Sequence, residues 1–271
     1  MRLCRIRKLC CQLLCVSLDY CVISQRRKQI RFKILSCNVM NHELRYCASR
    51  SPHRIDIEFI YQGLHEFPGK LQKELFKALG RVEEGSYDYV LVNYGLCGNG
   101  TLGITHQKLP VLIHNVHDCV PLLLGSSDLY RQYIADQQGT FFFSCGWIDG
   151  FPLPGGEDYQ EKYREFYGRE INAQQRNSIE RMLMQNYSRF TFIRWEELGA
   201  RIAEKGRGYT QRCLRSLGDR LKMELCYDEV KGSPSILQRF VDGDWNGNEY
   251  VLLEPGEKLK FDPLEGTLHP D

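Results

Sequence analysis

From residue 31 onwards, short segments of nearly unbroken apolar residues alternate with amphipathic segments, and this alternation constrains the fold more than any other feature. The apolar segments predict strands at 31–37, 55–65, 87–97, 109–119, 139–147, 189–195, 222–230 and 249–256. The amphipathic segments predict helices at 68–84, 120–138, 157–186, 196–220 and 234–243. Strands that are apolar throughout are typical of parallel sheets covered by helices on both faces. The sequence therefore predicts an α/β protein with a mainly parallel sheet flanked by helices, a Rossmann-like three-layer arrangement with room for two lobes.

The domain organisation follows from changes in composition along the chain. A loop rich in glycine and proline near residues 148–156 separates a predicted lobe at 31–150 from a second α/β part at 151–265 that completes the same unit. Residues 1–30 are predicted to be a disordered extension or the product of an upstream start codon. Their apolar stretch, "LCCQLLCVSL", is about half the length that spans a bilayer, and no small-x-small cleavage site follows it. We therefore expect no membrane association.

Charge and cysteine content narrow the class of protein. The formal net charge of +2 over 271 residues gives no reason to expect nucleic-acid binding. The chain has 12 cysteines, but it is long and alternates strands with helices, unlike a short secreted disulfide scaffold. Reduced thiols in a cytoplasmic protein are the expectation.

Sulfur and imidazole groups recur where predicted strands end. Cys37, Cys97, Cys119 and Cys145 lie at the ends of four of the predicted strands, and His65 ends another. The carboxyl ends of parallel strands share one edge of a sheet, which is where ligands bind in open α/β folds. Adjacent strands lie about 4.8 Å apart, so thiols from neighbouring strand ends can reach a common ion. The sequence predicts a Cys/His site at this edge.

The donor set indicates a soft metal centre. Thiolate and imidazole suit zinc or an iron–sulfur cluster, and the sequence does not decide between them. We expect Cys37, Cys97 and Cys119 to be the metal ligands, with His117 or His65 as a fourth ligand or an acid–base group. Whether Cys145 joins them stays open.

A metal-free enzyme is an alternative prediction. Cys97 lies where a strand meets a turn, and backbone N–H groups there would lower its pKa. His117 or His65 would be the base, and Asp118 would orient it. A third possibility is a non-catalytic accessory protein in which the cysteines are incidental.

The segment "GNGTLG" (98–103) formally matches a dinucleotide-binding fingerprint, but only "ITHQK" separates it from the next strand, too little for the required helix. We expect a turn instead, with Gly98, Asn99 and Gly100 shaping a binding pocket through their backbone N–H groups. Trp147 is expected to form a wall of the same pocket.

The motifs "QGLHEFPGKL", "YGLCGNG", "HDC", "LLLGSSDLY" and "GW" resemble those of the domain-of-unknown-function family 1638, over roughly residues 31–190. The resemblance implies a cytosolic protein that supports corrinoid-dependent methyl transfer or one-carbon metabolism, with a corrinoid protein or a methyltransferase as partner. The family pattern points to Cys37, His65, Cys97, Gly98, Asn99, Gly100, His117, Asp118, Cys119 and Trp147. Cys145 departs from that pattern, which favours a site of three cysteines and a histidine.

Overall fold

The computed structural model describes residues 29–136 and 139–271. Its strands are β1 (Arg31–Cys37), β2 (Arg54–Ile60), β3 (Tyr89–Asn93), β4 (Val111–His114), β5 (Thr140–Phe143), β6 (Arg189–Arg194), β7 (Cys226–Lys231), β8 (Tyr250–Leu253), β9 (Leu259–Asp262) and β10 (Thr267–Pro270). Its α-helices are α1 (Asn41–Arg50), α2 (Pro68–Gly80), α3 (Val120–Leu124), α4 (Ser127–Asp136), α5 (Cys145–Gly150), α6 (Tyr159–Tyr167), α7 (Ala173–Met184), α8 (Ala200–Leu221) and α9 (Ser235–Asp242). Short 3₁₀ helices lie at Asn38–Met40, Leu64–Glu66 and Glu196–Leu198. The predicted extension at 1–30 falls almost wholly outside the described residues.

The larger sheet has the strand order β2-β1-β3-β4-β8. The first four strands are parallel, and β8 pairs antiparallel with β4. Ile34 at the centre of β1 aligns with Ile57 of β2 and Leu91 of β3. Residues 90–92 and 111–113 are buried, as expected of strands in a parallel sheet that is covered on both faces.

A second sheet contains β5, β6 and β7, all parallel, and β9 and β10 form an antiparallel pair. The prediction of a mixed α/β protein with mainly parallel sheets is confirmed. The division of the chain into two lobes near residues 148–156 stays a prediction. Strand β5, which precedes this loop, pairs with β6 in the second sheet, and β8, which follows the loop, belongs to the larger sheet.

Several predicted elements are wrong in extent. The predicted helix at 157–186 is two helices, because Gly168 takes a left-handed conformation (φ +67°) and ends α6. The predicted helix at 120–138 is likewise divided at Gly125 (φ +72°). The strands predicted at 87–97 and 109–119 end earlier, at Asn93 and His114. No helix among the described residues is both long enough and apolar enough to cross a membrane.

A buried polar chain links the ends of the three central strands. The side-chain amide of Asn93 donates to Ser36 Oγ at 2.9 Å, and its oxygen lies 2.8 Å from His114 Nε2. All three residues have no exposed surface. These hydrogen bonds hold β1, β3 and β4 side by side, immediately before the residues that form the candidate site.

Candidate functional site

A cavity of about 330 Å³ lies at the carboxyl edge of the larger sheet. The chain segments that follow β1, β2, β3 and β4 all contribute to it. Of the predicted site residues, those lining it are Cys37, His65, Cys97, Gly98, His117, Asp118, Cys119 and Trp147. The remaining lining residues are Val39, Met40, Tyr61, Leu64, Tyr94 and Val120.

Cys97 reaches the cavity because the chain beyond β3 keeps parallel contact with the chain beyond β4. The N–H of Leu96 donates to the carbonyl of Val116 at 2.9 Å, and the N–H of Cys97 donates to that of His117 at 3.0 Å. Gly95 permits this approach, since a Cβ there would lie 2.5 Å from the Val116 carbonyl oxygen. The pairing places Cys97 beside the "HDC" segment.

The turn after Cys97 has three consecutive residues in the left-handed region: Cys97 (φ 46°), Gly98 (φ 62°) and Asn99 (φ 72°). A left-handed conformation is costly for a non-glycine residue and occurs often at functional sites. Only the first two of these residues line the cavity. Asn99 is exposed, and Gly100 is buried where a Cβ would collide with the side chain of Leu71, so both lie outside the cavity lining.

The three thiols share one electrostatic environment. Burial raises the pKa of Cys37 to about 11. Burial and the nearby Cys37 raise the pKa of Cys97 to about 12. Burial raises the pKa of Cys119 well above its usual range, and Asp118 and the other two cysteines add to this effect. Each thiol is therefore neutral at pH 7, and Cys37 disfavours ionisation of both Cys97 and Cys119.

His117 and Asp118 form an ion pair at the cavity mouth, with Nδ1 and Oδ2 3.5 Å apart. Asp118 also accepts hydrogen bonds from the N–H of Val120 at 2.8 Å and the hydroxyl of Tyr130 at 2.9 Å. Burial would raise the pKa of Asp118, but these hydrogen bonds outweigh it and hold the pKa below its usual value. The hydrogen bond to Asp118 raises the pKa of His117, whose side chain is largely exposed.

His65 and Trp147 form an aromatic wall. Their rings meet edge to face, with centroids 5.2 Å apart. Burial lowers the pKa of His65, with Asp118 opposing the shift, so the imidazole is neutral at pH 7. Trp147 lies on α5, which Ser144 caps by accepting a hydrogen bond from the Trp147 N–H at 3.3 Å.

Tyr94 is a site residue that sequence reasoning missed. Its side chain is 3% exposed and lines the cavity. Its hydroxyl interacts with the Cys37 thiol closely enough to affect the pKa of both groups, yet it makes no hydrogen bond of normal geometry within the described part of the chain. A hydroxyl buried this deeply beside the Cys37 thiol requires an acceptor.

Cys145 does not belong to this edge. It follows β5, which lies in the second sheet, so the predicted row of five strand ends in one sheet is wrong at its fifth member. Cys145 instead lines a separate cavity of about 40 Å³ with His42 and Asp149. Because sheet membership depends on contacts distant in sequence, the position of Cys145 after a strand could not reveal this.

No three histidine, cysteine, aspartate or glutamate side chains converge as ligands of one metal ion in residues 29–136 and 139–271 as placed. The three thiols line one cavity. Sulfur is the donor that soft metals prefer, and among the described residues no lysine or arginine lines this cavity.

Comparison with known proteins identifies the family. The model of the family described as "Protein of unknown function (DUF1638)" matches residues 59–241. The chain belongs to this family. Cys37 precedes the matched segment, whereas His65, Cys97 and Cys119 lie within it. No curated protein and no solved structure matches the chain.

Proposed function

We propose that this protein holds a soft metal centre, zinc or an iron–sulfur cluster, through Cys37, Cys97 and Cys119. The observation on which the proposal depends is that these thiols, from the end of β1 and from the segments that follow the adjacent parallel strands β3 and β4, line one cavity. Parallel strands deliver their carboxyl ends to a common edge, and that edge is the usual ligand site of such sheets.

The electrostatics of the thiols support a bound cation. Burial raises the pKa of all three thiols, and Cys37 adds to this effect at Cys97 and Cys119, so without a cation they stay protonated. A divalent ion or a cluster would reverse this balance, because it would take the place of the thiol protons. The buried Tyr94 hydroxyl would then have the Cys37 thiolate as its acceptor, which removes an otherwise unsatisfied donor.

The remaining polar groups fit an acid–base role at the cavity mouth. His117 is exposed on one side and paired with Asp118 on the other, so it can exchange protons with solvent. Asp118 and Tyr130 would orient the imidazole. With three protein ligands, a zinc ion would keep one position open for water or substrate, as in catalytic zinc sites.

We extend the proposal to the cellular role implied by the family resemblance. The protein would be cytoplasmic, with a Rossmann-like three-layer fold, and would support corrinoid-dependent methyl transfer or one-carbon metabolism. A corrinoid macrocycle is much larger than a cavity of about 330 Å³. The corrinoid would therefore belong to a partner protein or methyltransferase that docks at the cavity mouth.

The competing function is a metal-free enzyme with Cys97 as nucleophile. The pKa of Cys97 is raised to about 12, which opposes formation of the free thiolate that such an enzyme needs. This environment favours the metal proposal.

The test is metal analysis and absorbance spectroscopy of the protein purified without oxygen, with Cys97→Ser and Cys119→Ser beside it. Cys226→Ser is the matched control, because Cys226 is an exposed thiol in the second sheet. We expect stoichiometric metal in the wild type and the control and at least a tenfold loss in the other two. Iron with broad visible absorption indicates a cluster, and colourless zinc indicates a single ion.

Two results would overturn the proposal. One is equal metal content in all four proteins. The other is metal-free wild type in which Cys97 alone is rapidly alkylated, which would establish the nucleophile instead. Capture of a methyltransferase that survives both substitutions would identify an accessory role independent of the thiols.

A further inference from the structure

The cavity lining contains an ionised carboxylate and little to neutralise it. Burial would raise the pKa of Asp118, but its hydrogen bonds hold that pKa below the usual value, so the side chain is ionised at pH 7. Among the described residues, no lysine or arginine lines the cavity. His117 also lines it, but its side chain is 74% exposed and can release its proton to solvent. Of the ionic ligands, this lining therefore favours a cation.

The negative charge of Asp118 acts on other groups that line the cavity. It opposes the lowering of the His65 pKa that burial causes. It also adds to burial and to Cys37 in raising the pKa of Cys97 and Cys119. Each of these effects favours a bound proton, and the same field favours a positively charged ligand.

Two side chains of the lining can accept a hydrogen bond from a ligand. Asp118 Oδ1 accepts from the N–H of Val120. Its Oδ2 accepts from Tyr130 and lies 3.5 Å from His117 Nδ1. A carboxylate has about four acceptor positions, so these three donors leave room for another. The hydroxyl of Tyr94 is buried and has no hydrogen bond of normal geometry within the described part of the chain, and a phenol oxygen can accept from a ligand N–H.

Aromatic rings complete an environment suited to an alkyl cation. The lining includes the side chains of Tyr61, Tyr94 and Trp147, and the neutral His65 ring meets that of Trp147 edge to face. Aromatic rings attract ammonium groups and also pack against alkyl groups. A volume of about 330 Å³ is at the small end of the range for ligand pockets, so the ligand is small.

We infer that the cavity binds a small protonated alkylamine, with Asp118 and the Tyr94 hydroxyl as acceptors for its N–H groups and its alkyl chain among the aromatic rings. This inference goes beyond the proposed metal centre and does not depend on it. The two are compatible, because a divalent ion held by three thiolates would leave a net negative charge in the cavity.

The experiment is calorimetric titration at pH 7 of the protein purified without oxygen, with butylammonium, 1-butanol and butanoate. These ligands are similar in size, but the first is a cation, the second is uncharged and the third is an anion. We expect butylammonium to bind at least tenfold more tightly than 1-butanol, because its charge is paired with Asp118. Butanoate should bind most weakly, since it would be buried without a counter-charge.

Two substitutions and a control separate the effect of charge from that of shape. Asp118→Asn removes the charge but keeps an oxygen that can accept from Val120 or Tyr130, so butylammonium should bind at least tenfold more weakly and 1-butanol equally well. His117→Gln removes a competing cation and should tighten butylammonium binding about threefold. Asp219→Asn is the control, because Asp219 is exposed on α8 outside the cavity lining and should leave all affinities unchanged.

The outcomes keep this inference separate from the proposed metal centre. Butylammonium that binds no more tightly than 1-butanol or butanoate contradicts the inference, as do equal effects of Asp118→Asn and Asp219→Asn. If Asp118→Asn does not fold, His117→Gln that fails to tighten butylammonium binding contradicts it instead.

Cys119→Ser, which we expect to lose the metal, should keep the preference for butylammonium. Loss of that preference would show that the amine binds the metal, and would contradict the inference. Metal-free wild type that prefers butylammonium would support the inference and contradict the metal centre alone.

Discussion

Buried His114 should make the fold less stable as the solution becomes mildly acidic. Its side chain has no exposed surface, its ring lies 4.0 Å from that of Phe240, and burial lowers its pKa to about 3. In the unfolded chain a histidine titrates near 6.5, so below that pH the unfolded state gains a proton that the folded state refuses. At pH 5 the gap of about 1.5 pH units corresponds to about 2 kcal/mol of lost stability. The contribution is absent at pH 7 and grows as the pH falls towards 3.

The measurement is urea unfolding of the wild type and His114→Gln at pH 7 and pH 5. Glutamine stays neutral and can still donate to Asn93, so the variant lacks the titration. It also loses the ring contact with Phe240, but that loss is the same at both pH values. The wild type should lose about 2 kcal/mol more than the variant between the two pH values. Comparing the two proteins is necessary because buried Glu43 has its pKa raised to about 7 by burial and shifts stability in the opposite direction. An equal change in both proteins would show that His114 is not held neutral, and the buried chain that aligns β1, β3 and β4 would need revision.

Three further predictions concern the site and its supports. Tyr94→Phe should keep the fold but weaken metal binding 10- to 100-fold, about the usual effect of losing a hydrogen bond to a metal ligand. Competition with a chelator measures this affinity, and an unchanged affinity would remove Tyr94 from the site. Gly95→Ala should cost about 1–3 kcal/mol in urea unfolding and also lower metal content, because its Cβ would force the Cys97 segment away from Val116; a variant as stable as the wild type would refute that close approach. Glu43→Gln should stabilise the fold by up to about 3 kcal/mol at pH 8 but not at pH 4, because burial of the Glu43 carboxyl destabilises the folded state only when the carboxyl is ionised. A larger stabilisation at pH 4 than at pH 8 would contradict the burial of Glu43.

The shared position of Cys37, Cys97 and Cys119 at one edge of the larger sheet was predictable, because it depends mainly on local features. An apolar strand followed by a cysteine places that cysteine at the carboxyl end of the strand, and parallel pairing then brings Cys37, Cys97 and Cys119 to one edge. Cys145 follows the same local pattern in a different sheet, and only pairing between β5 and β6, distant in sequence, distinguishes it.

Tyr94 escaped prediction for a different reason. In the sequence it is one aromatic residue at the end of an apolar strand, which is typical of the core. Its importance lies in its buried hydroxyl, which has no hydrogen-bond partner in the part of the chain that the structure describes, and no spacing in the sequence reveals this. The helix break at Gly168 was also overlooked, since the polar pattern continues on both sides of it and a glycine inside a helix is tolerated at a cost of about 1 kcal/mol.

The number of sulfur atoms bound to the metal tests the proposed metal centre most directly. X-ray absorption spectroscopy at the metal edge of the purified protein counts these atoms. Three cysteine sulfurs at about 2.3 Å are expected for zinc in the wild type, and two are expected in the small fraction of Cys119→Ser that keeps its metal. A shell of nitrogen and oxygen only, or a sulfur count that Cys119→Ser leaves unchanged, would show that these three strand ends do not share a metal.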